Sequence, residues 1–264
     1  MADAGVPWDG RAYDRTRRAD PRIAAKLTLY LRSQASGRCL DLACGTGNYT
    51  ISLAASGLTM VGVDASTAML DAARAKAPQQ AWHRATAAAL PYSDGSFDGA
   101  ICTLAIHHFA GLDAAFAEIH RVLRKGRFVV FTAWPEQARA YWLNAYFPRA
   151  MARSIEQMPA RAVVLSALER AGLAVVAIDP WEVPPDLSDL FLYCGKHRPE
   201  LYLDPVVRAG ISTFTGLADA EEVAAGLARL RHDIGSGRIT EVMAAFPRGG
   251  GDYVFVAAEK RGAP

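Results

Sequence analysis

Short apolar runs alternate with segments of helical period along this chain, and the alternation begins near residue 38. Residues 38–42 read as a strand, followed by a helix over residues 48–55 and a second strand over residues 59–64. Ser66 or Thr67 is placed to cap a helix that runs to about residue 77, where Pro78 stops it. Residues 81–85 and 97–104 are the third and fourth strands, residues 112–123 a helix, and residues 127–133 a fifth strand. A helix over residues 163–171 closes on Gly172 and leads into a sixth strand at residues 174–178. The last strand, residues 252–258, follows the Gly249-Gly250-Gly251 turn. Ahead of the sheet, one or two amphipathic helices are expected, with Trp8, Tyr13, Ile23, Leu27 and Leu31 as apolar contacts.

Repeated strand–helix units predict an α/β architecture, a doubly wound, largely parallel sheet with helices on both faces. Residues 1–36 form an expected N-terminal helical cap, and residues 37–264 one domain. Two stretches interrupt the alternation, residues 135–160 and residues 181–251, the second holding a helix over residues 220–230. Insertions at the carboxyl edge of such a sheet overhang the ligand crevice, so these two are expected to form a helical lid.

Composition narrows the partners. The formal net charge is +2 with 21% charged residues, and no Lys/Arg run is long enough for a nucleic-acid or membrane-surface patch. The most basic stretch, Arg15-Thr16-Arg17-Arg18, sits beside Asp14 and Asp20 and reads as a solvated helix face. Four cysteines form no C-x-x-C pair; Cys39 and Cys102 fall in apolar strands, and the usage suits a reducing cytosol. No signal core and no long apolar run is present, so a cytoplasmic protein acting on a small molecule is expected, with its oligomeric state open.

The chemistry concentrates in Leu40-Asp41-Leu42-Ala43-Cys44-Gly45-Thr46-Gly47-Asn48-Tyr49, followed about twenty positions later by Asp64 at a strand tip. Glycines allow close backbone approach to a ligand, and a carboxylate at Asp64 can take both hydroxyls of a ribose. A dinucleotide fingerprint would place a third glycine where Thr50 stands and no acid at Asp41, which opposes a pyrophosphate and suits an ammonium. Asp-x-x-x-Gly-x-Gly resembles motif I of the class I S-adenosylmethionine (SAM) dependent methyltransferases. Further blocks share the resemblance: Leu90-Pro91-Tyr92-Ser93-Asp94-Gly95-Ser96-Phe97-Asp98, His107-His108-Phe109, and Glu118-Ile119-His120-Arg121-Val122-Leu123. The UbiE-like small-molecule branch is the nearest pattern. It implies a Rossmann-like seven-stranded sheet with the last strand antiparallel, SAM as cofactor and no metal.

The resemblance also implies which residues meet SAM. Asp41, Ala43, Gly45 and Gly47 belong to the glycine turn, Asp64 and Ala65 to the second strand tip, and Leu104 to the fourth. Met69 would pack on the adenine, with Thr86 and Ala87 standing where the family usually has an acid. Tyr13 with Arg17 resembles a cap element that closes over the methionine end, the arginine reaching a carboxylate. No Asn/Asp-Pro-Pro-Tyr turn follows the fourth strand and no Pro-Cys pair occurs, which argues against nucleic acid as substrate.

His107 and His108 are the best-placed proton acceptors, while His83, His120, His197 and His232 have no metal-ligand spacing. Tyr141-Trp142-Leu143-Asn144-Ala145-Tyr146-Phe147 makes either a packed lid or an aromatic pocket wall, with Tyr141 and Asn144 as candidate catalytic groups. Methyl transfer to a small molecule is the first reading. The insertions also show a faint similarity to the methyltransferase-like azetidine-2-carboxylate synthases, which implies an alternative in which SAM cyclises and releases methylthioadenosine. A SAM-binding protein without catalysis is the third. Replacing Asp64 by Ala is expected to weaken SAM binding by about 1.5–3 kcal/mol, the worth of hydrogen bonds to a charged group. Unchanged affinity in calorimetry would remove the ribose assignment.

Overall fold

The computed structural model describes residues 10–32, 37–246 and 249–260, so Trp8 lies outside the described residues. Helices α1 (Gly10–Tyr13) and α2 (Pro21–Arg32) precede β1 (Arg38–Leu42), α3 (Asn48–Ala55), β2 (Thr59–Asp64), α4 (Thr67–Lys76), β3 (Ala81–Arg84) and β4 (Phe97–Thr103). Then come α5 (Leu112–Val122), β5 (Leu123–Thr132), α6 (Pro135–Arg139), α7 (Pro148–Gln157), α8 (Arg161–Arg170) and β6 (Leu173–Trp181). The second insertion carries α9 (Pro205–Ala209), α10 (Ala220–Ser236) and α11 (Ile239–Ala244) before β7 (Tyr253–Lys260). The strand order is β3-β2-β1-β4-β5-β7-β6, with the first five strands parallel and β7 antiparallel to both neighbours.

Three strands run further than their apolar runs. β5 begins at Leu123, β6 reaches Trp181 and β7 reaches Lys260, because Leu123 pairs with Phe97, Trp181 with Tyr253 and Leu173 with Lys260. Ladder pairing tolerates the charged and proline positions at which periodicity alone ends a strand.

Alternation along the central strands sorts two cores. Leu40, Leu42, Ala100, Cys102, Phe128 and Val130 face α5 and α8, where Phe116, Ile119, Val164 and Leu168 meet them. Cys39, Ile101, Val129, Phe131 and Phe255 face the other way, against Ile23, Leu27 and Leu31 of α2. That second core continues without a break into the insertions through Tyr141, Trp142, Phe147, Tyr193 and Tyr202. Full burial of such side chains stabilises by about 1.5–3 kcal/mol each, so cap, sheet and lid share one large term.

Polar contacts fix how the cap meets the lid. Residues 14–16 form a turn and residues 17–20 have no regular structure, so the basic stretch is no solvated helix face. Asp20 caps α2 by accepting from Arg22 N, and its other oxygen accepts from Ser188 N and Oγ, both at 3.1 Å. Leu190 N donates to Thr16 O at 3.0 Å, and Arg22 pairs with Asp186 at 2.7 Å.

Gly47 starts α3 at φ 76, and a Cβ there would meet the Trp82 ring at 2.2 Å. Gly47→Ala is therefore expected to lower stability by about 1–3 kcal/mol, seen as a lower urea midpoint at unchanged m-value.

Candidate functional site

A cavity of about 730 Å³ opens at the carboxyl ends of β1, β2 and β4. Strand order reverses between β1 and β4, and the crevice at such a switch point is where these sheets bind ligands. The turn after β1 is built by backbone bonds: Cys44 N donates to Val63 O and Gly47 N to Cys44 O, both at 2.9 Å. Gly45 has φ 55, and nothing lies within 4 Å of where its Cβ would be, so the backbone is bare toward the cavity.

Asp64 organises the floor. One carboxylate oxygen accepts from Gly45 N and the other from Ser66 N, both at 2.8 Å. Burial raises its pKa, partly countered by those two N–H groups and by His108. Asp41 is 2% exposed and accepts from Thr50 Oγ1 at 2.6 Å. Burial is the main cause that pushes its pKa up to about 7, with the Asp64 charge adding to it. Burial also holds the Cys44 thiol well above its usual range, which makes it a poor nucleophile.

Two non-glycine residues in the cavity wall adopt left-handed backbone, Ala43 at φ 56 and Leu104 at φ 54. They sit just past the facing tips of β1 and β4. Such conformations are costly and cluster at ligand sites. Leu104 is held there by donating its N–H to Phe131 O at 2.8 Å.

The structure brings most of the expected residues together. Asp41, Ala43, Gly45, Asp64, Ala65 and Met69 line the cavity, as do Thr86, Ala87 and Leu104. Tyr13, Arg17, His107 and His108 do so as well. Gly47 does not; its freedom serves the turn and the packing of Trp82. Arg17 lines the cavity, but its guanidinium is engaged by the protein. Its Nε donates to Asp189 Oδ1 at 2.5 Å and its Nη2 to Asp189 Oδ2 at 3.4 Å, under the Tyr13 and Phe191 rings. The guanidinium expected to reach a ligand carboxylate thus already pairs with a carboxylate of the protein's own.

Tyr141 and Asn144 stand outside the cavity, which corrects their catalytic assignment. The Tyr141 ring stacks on Tyr193 at 3.9 Å and its hydroxyl meets that of Tyr202 at 2.6 Å. Asn144 Nδ2 donates to Ala138 O at 2.8 Å and Tyr141 O at 2.7 Å, closing the turn after α6. The aromatic stretch is the lid's own core: the hydroxyls of Tyr141 and Tyr146 bond to Tyr202 and Asp233, Asn144 bonds to backbone, and Trp142 Nε1 is buried with no hydrogen-bond partner among the described residues. His107 is held neutral, because burial and the neighbouring His108 push its pKa down to about 3. A group that acidic on protonation is a weak general base near neutral pH.

Several lining residues carried no motif. Asp189, Phe191 and Tyr253 wall the cavity beside Tyr49 of the glycine-turn stretch, and Ser154, Met158, Ile211 and Thr213 come from the lid. Thr103 Oγ1 is buried in the same wall with no hydrogen-bond partner among the described residues. Asp14, outside any motif, accepts from Thr46 Oγ1 at 2.6 Å and Asn48 Nδ2 at 3.1 Å and pairs with Lys76 at 2.8 Å, pinning the cap onto the glycine turn. The one available signal for the lid contacts was the run Asp186-Leu187-Ser188-Asp189 after two prolines. Among the described residues no group of three His, Cys, Asp or Glu could hold a metal ion, and no helix is long and apolar enough to cross a membrane.

Known proteins share this arrangement. Residues 40–131 match the methyltransferase domain family. A solved structure from Anabaena variabilis, described as a methyltransferase of an antibiotic biosynthesis pathway, is 34% identical with a TM-score of 0.82, covering 92% of this chain and 98% of its own. The chain belongs to the class I SAM-dependent methyltransferases. A demethylmenaquinone methyltransferase of Thermus thermophilus is 35% identical to this methyltransferase over 142 residues, which is 50% of this chain and 64% of the relative. An uncharacterized methyltransferase of Synechocystis sp. is 40% identical over 91 residues, 34% of this chain and 43% of the relative. The methyltransferase thus spans about half the length of the curated relatives it matches. The family match ends at residue 131, inside β5, so both lid insertions lie beyond it.

The buried acid of this chain has a pH signature. A folded pKa of about 7 for Asp41 lies above the usual carboxylate value of about 3.9, so the native state holds the extra proton between them. Its contribution to stability is complete below the lower value and is lost as pH rises through about 7. Asp41→Asn removes this titration. Relative to the parent, ligand-free D41N is expected to gain stability between pH 5 and pH 8, on the order of a few kcal/mol, in thermal unfolding. A pH-independent difference would contradict the shift.

Proposed function

We propose that this protein binds SAM in the cavity and transfers its methyl group to a small-molecule acceptor. The observation that carries the reading is the Asp64 carboxylate, fixed by Gly45 N and Ser66 N beside bare glycine backbone, with the buried Asp41 in the same wall. These residues fit the group chemically. Asp64 would take the ribose hydroxyls, Asp41 the ammonium, and Met69 with Thr86 and Ala87 the adenine. Ionised Asp41 is disfavoured without a partner, so a cation bound beside it restores its charge.

Bound SAM supplies a methyl carbon already activated by the sulfonium. The chain's own task is then positioning and exclusion of water. Tyr13, Tyr49, Phe191 and Tyr253 give the cavity aromatic walls that favour a cation, and the lid shields them from solvent. No general base is assigned: His107 stays neutral, and an acceptor that arrives unprotonated needs none. The balanced charge favours a small acceptor over nucleic acid. The cysteines are all free, which fits the reducing cytosol we propose for it.

The cyclisation alternative drew on the aromatic insertions, of which Phe191 walls the cavity and the stretch over residues 141–147 does not, so methyl transfer is preferred. One incubation separates the readings. With SAM alone the purified protein is expected to release no methylthioadenosine above background decay by mass spectrometry, while S-adenosylhomocysteine (SAH) forms only with an added acceptor. Methylthioadenosine with an azetidine amino acid would establish cyclisation instead, and SAM binding without either product across an acceptor panel would favour a non-catalytic role.

A further inference from the structure

The lid end of the cavity carries chemistry that the SAM site does not use. Ser154 of α7 and Thr213 are 7% and 1% exposed, and both line the cavity. Thr213 opens a five-residue π-helical turn, Thr213–Leu217, closed by Ala218 N donating to Thr213 O at 3.0 Å. Such turns are rare and recur at functional sites. Thr213 Oγ1 donates to Ser154 Oγ at 3.2 Å. That bond uses the Thr213 proton and leaves the Ser154 proton without an acceptor among the described residues. A serine inside a helix ordinarily bonds back to the carbonyl four residues earlier, and no such bond is made here. A buried donor left unmet is unfavourable unless a ligand meets it.

The surroundings of the pair define what that ligand is. Met158, Ile211, Leu192 and Phe191 supply an apolar wall. The single ionisable side chain that the lid gives to the cavity, among the described residues, is Asp189, already engaged by Arg17 and by Tyr49 OH at 3.1 Å. Among the described residues no lysine lines the cavity, and the one arginine that does is paired to that acid. A carboxylate or phosphate on the acceptor would therefore find no unpaired cationic side chain from the lid, among the described residues.

We infer that Ser154 and Thr213 form the acceptor subsite, selecting an uncharged, mainly apolar molecule that presents a carbonyl-type oxygen to the Ser154 hydroxyl. This rests on SAM filling the glycine-turn end. Ser154 is then a specificity-determining residue, and the Thr213 bond, by using the Ser154 oxygen as acceptor, leaves its proton for a ligand in the cavity both side chains line.

The test first saturates the protein with SAH, which establishes the cofactor end independently. Calorimetric titration then compares acetophenone, ethylbenzene and benzoate, close in size but differing in a carbonyl and a charge. Acetophenone is expected to bind about tenfold more tightly than ethylbenzene, with benzoate weakest. Ser154→Ala is expected to erase most of the ketone preference, Thr213→Val to reduce it, and Ser154→Thr to retain it, all with SAH affinity unchanged. Because SAH affinity reports folding of each variant, a misfolded protein is recognised, and the near-isosteric T213V then carries the test. Equal binding of ketone and hydrocarbon, benzoate binding best, or no probe binding to the SAH complex would overturn the subsite. Failure of SAH itself to bind would overturn the cofactor reading on which it rests.

Discussion

Arg17 and Asp189 lie 172 residues apart in sequence and meet at 2.5 Å beneath the lid, with side-chain exposures of 12% and 2%. Neither charge has enough water to stand alone, so each requires the other. Desolvation opposes the arginine's charge, yet Asp189 and Tyr13 hold its pKa above the ordinary value. A buried pair of this kind adds little net stability compared with apolar packing, but breaking it strands a charge at a cost of about 3–5 kcal/mol. Its main consequence is register. Tyr49 OH donates to the same carboxylate at 3.1 Å, so one acid of the second insertion ties the cap to the helix that follows the glycine turn. Asp20 with Ser188, and Thr16 with Leu190, repeat the link on either side. The roof of the cavity is fixed to its floor by these contacts.

Beneath that roof, the site is held in unfavourable states that the rest of the fold tolerates. Asp41 is buried with no countercharge among the described residues, and Ala43 and Leu104 take left-handed backbone without being glycine. Each lies at a strand tip on the switch point, where the ladder of β1 and β4 leaves little freedom to relax. A ligand with a cationic end relieves the first of these, and the bent tips open room for it. The two extended cores under the sheet and lid supply the stability that offsets the cost.

Family membership and site chemistry carry different weight. The matched residues, 40–131, build the part of the cavity that resembles other methyltransferases. The walls that choose an acceptor come from residues after that segment, through Ser154, Met158, Ile211 and Thr213. Fold alone does not specify a substrate, and here the specifying side chains belong to the least regular elements. The first residue of a five-residue π turn and the seventh residue of α7 join Asp189 and Ser212 as the polar side chains that the lid gives to the wall.

From the sequence alone, the alternating strands and helices, the glycine turn and Asp64 at a strand tip were legible, each from near neighbours in sequence: two-residue alternation, a strand tip, a cap such as Ser66. The antiparallel last strand came only from the family resemblance, because strand direction depends on pairing between distant segments. Residues 141–147 show the limit. Their composition fits a pocket wall and a packed core equally well, since both need aromatics with polar ends. Only the positions of Tyr193 and Tyr202, 52 and 61 residues beyond Tyr141, decide for the core. Arg17 shows it again, because an arginine near a ligand and an arginine paired to Asp189 have the same local sequence. Local periodicity and turn chemistry thus determined the sheet and its cofactor loop. Tertiary packing decided which polar groups remain free for chemistry, because hydrogen bonds between distant segments satisfy one group and leave another, such as the Ser154 proton, without a partner.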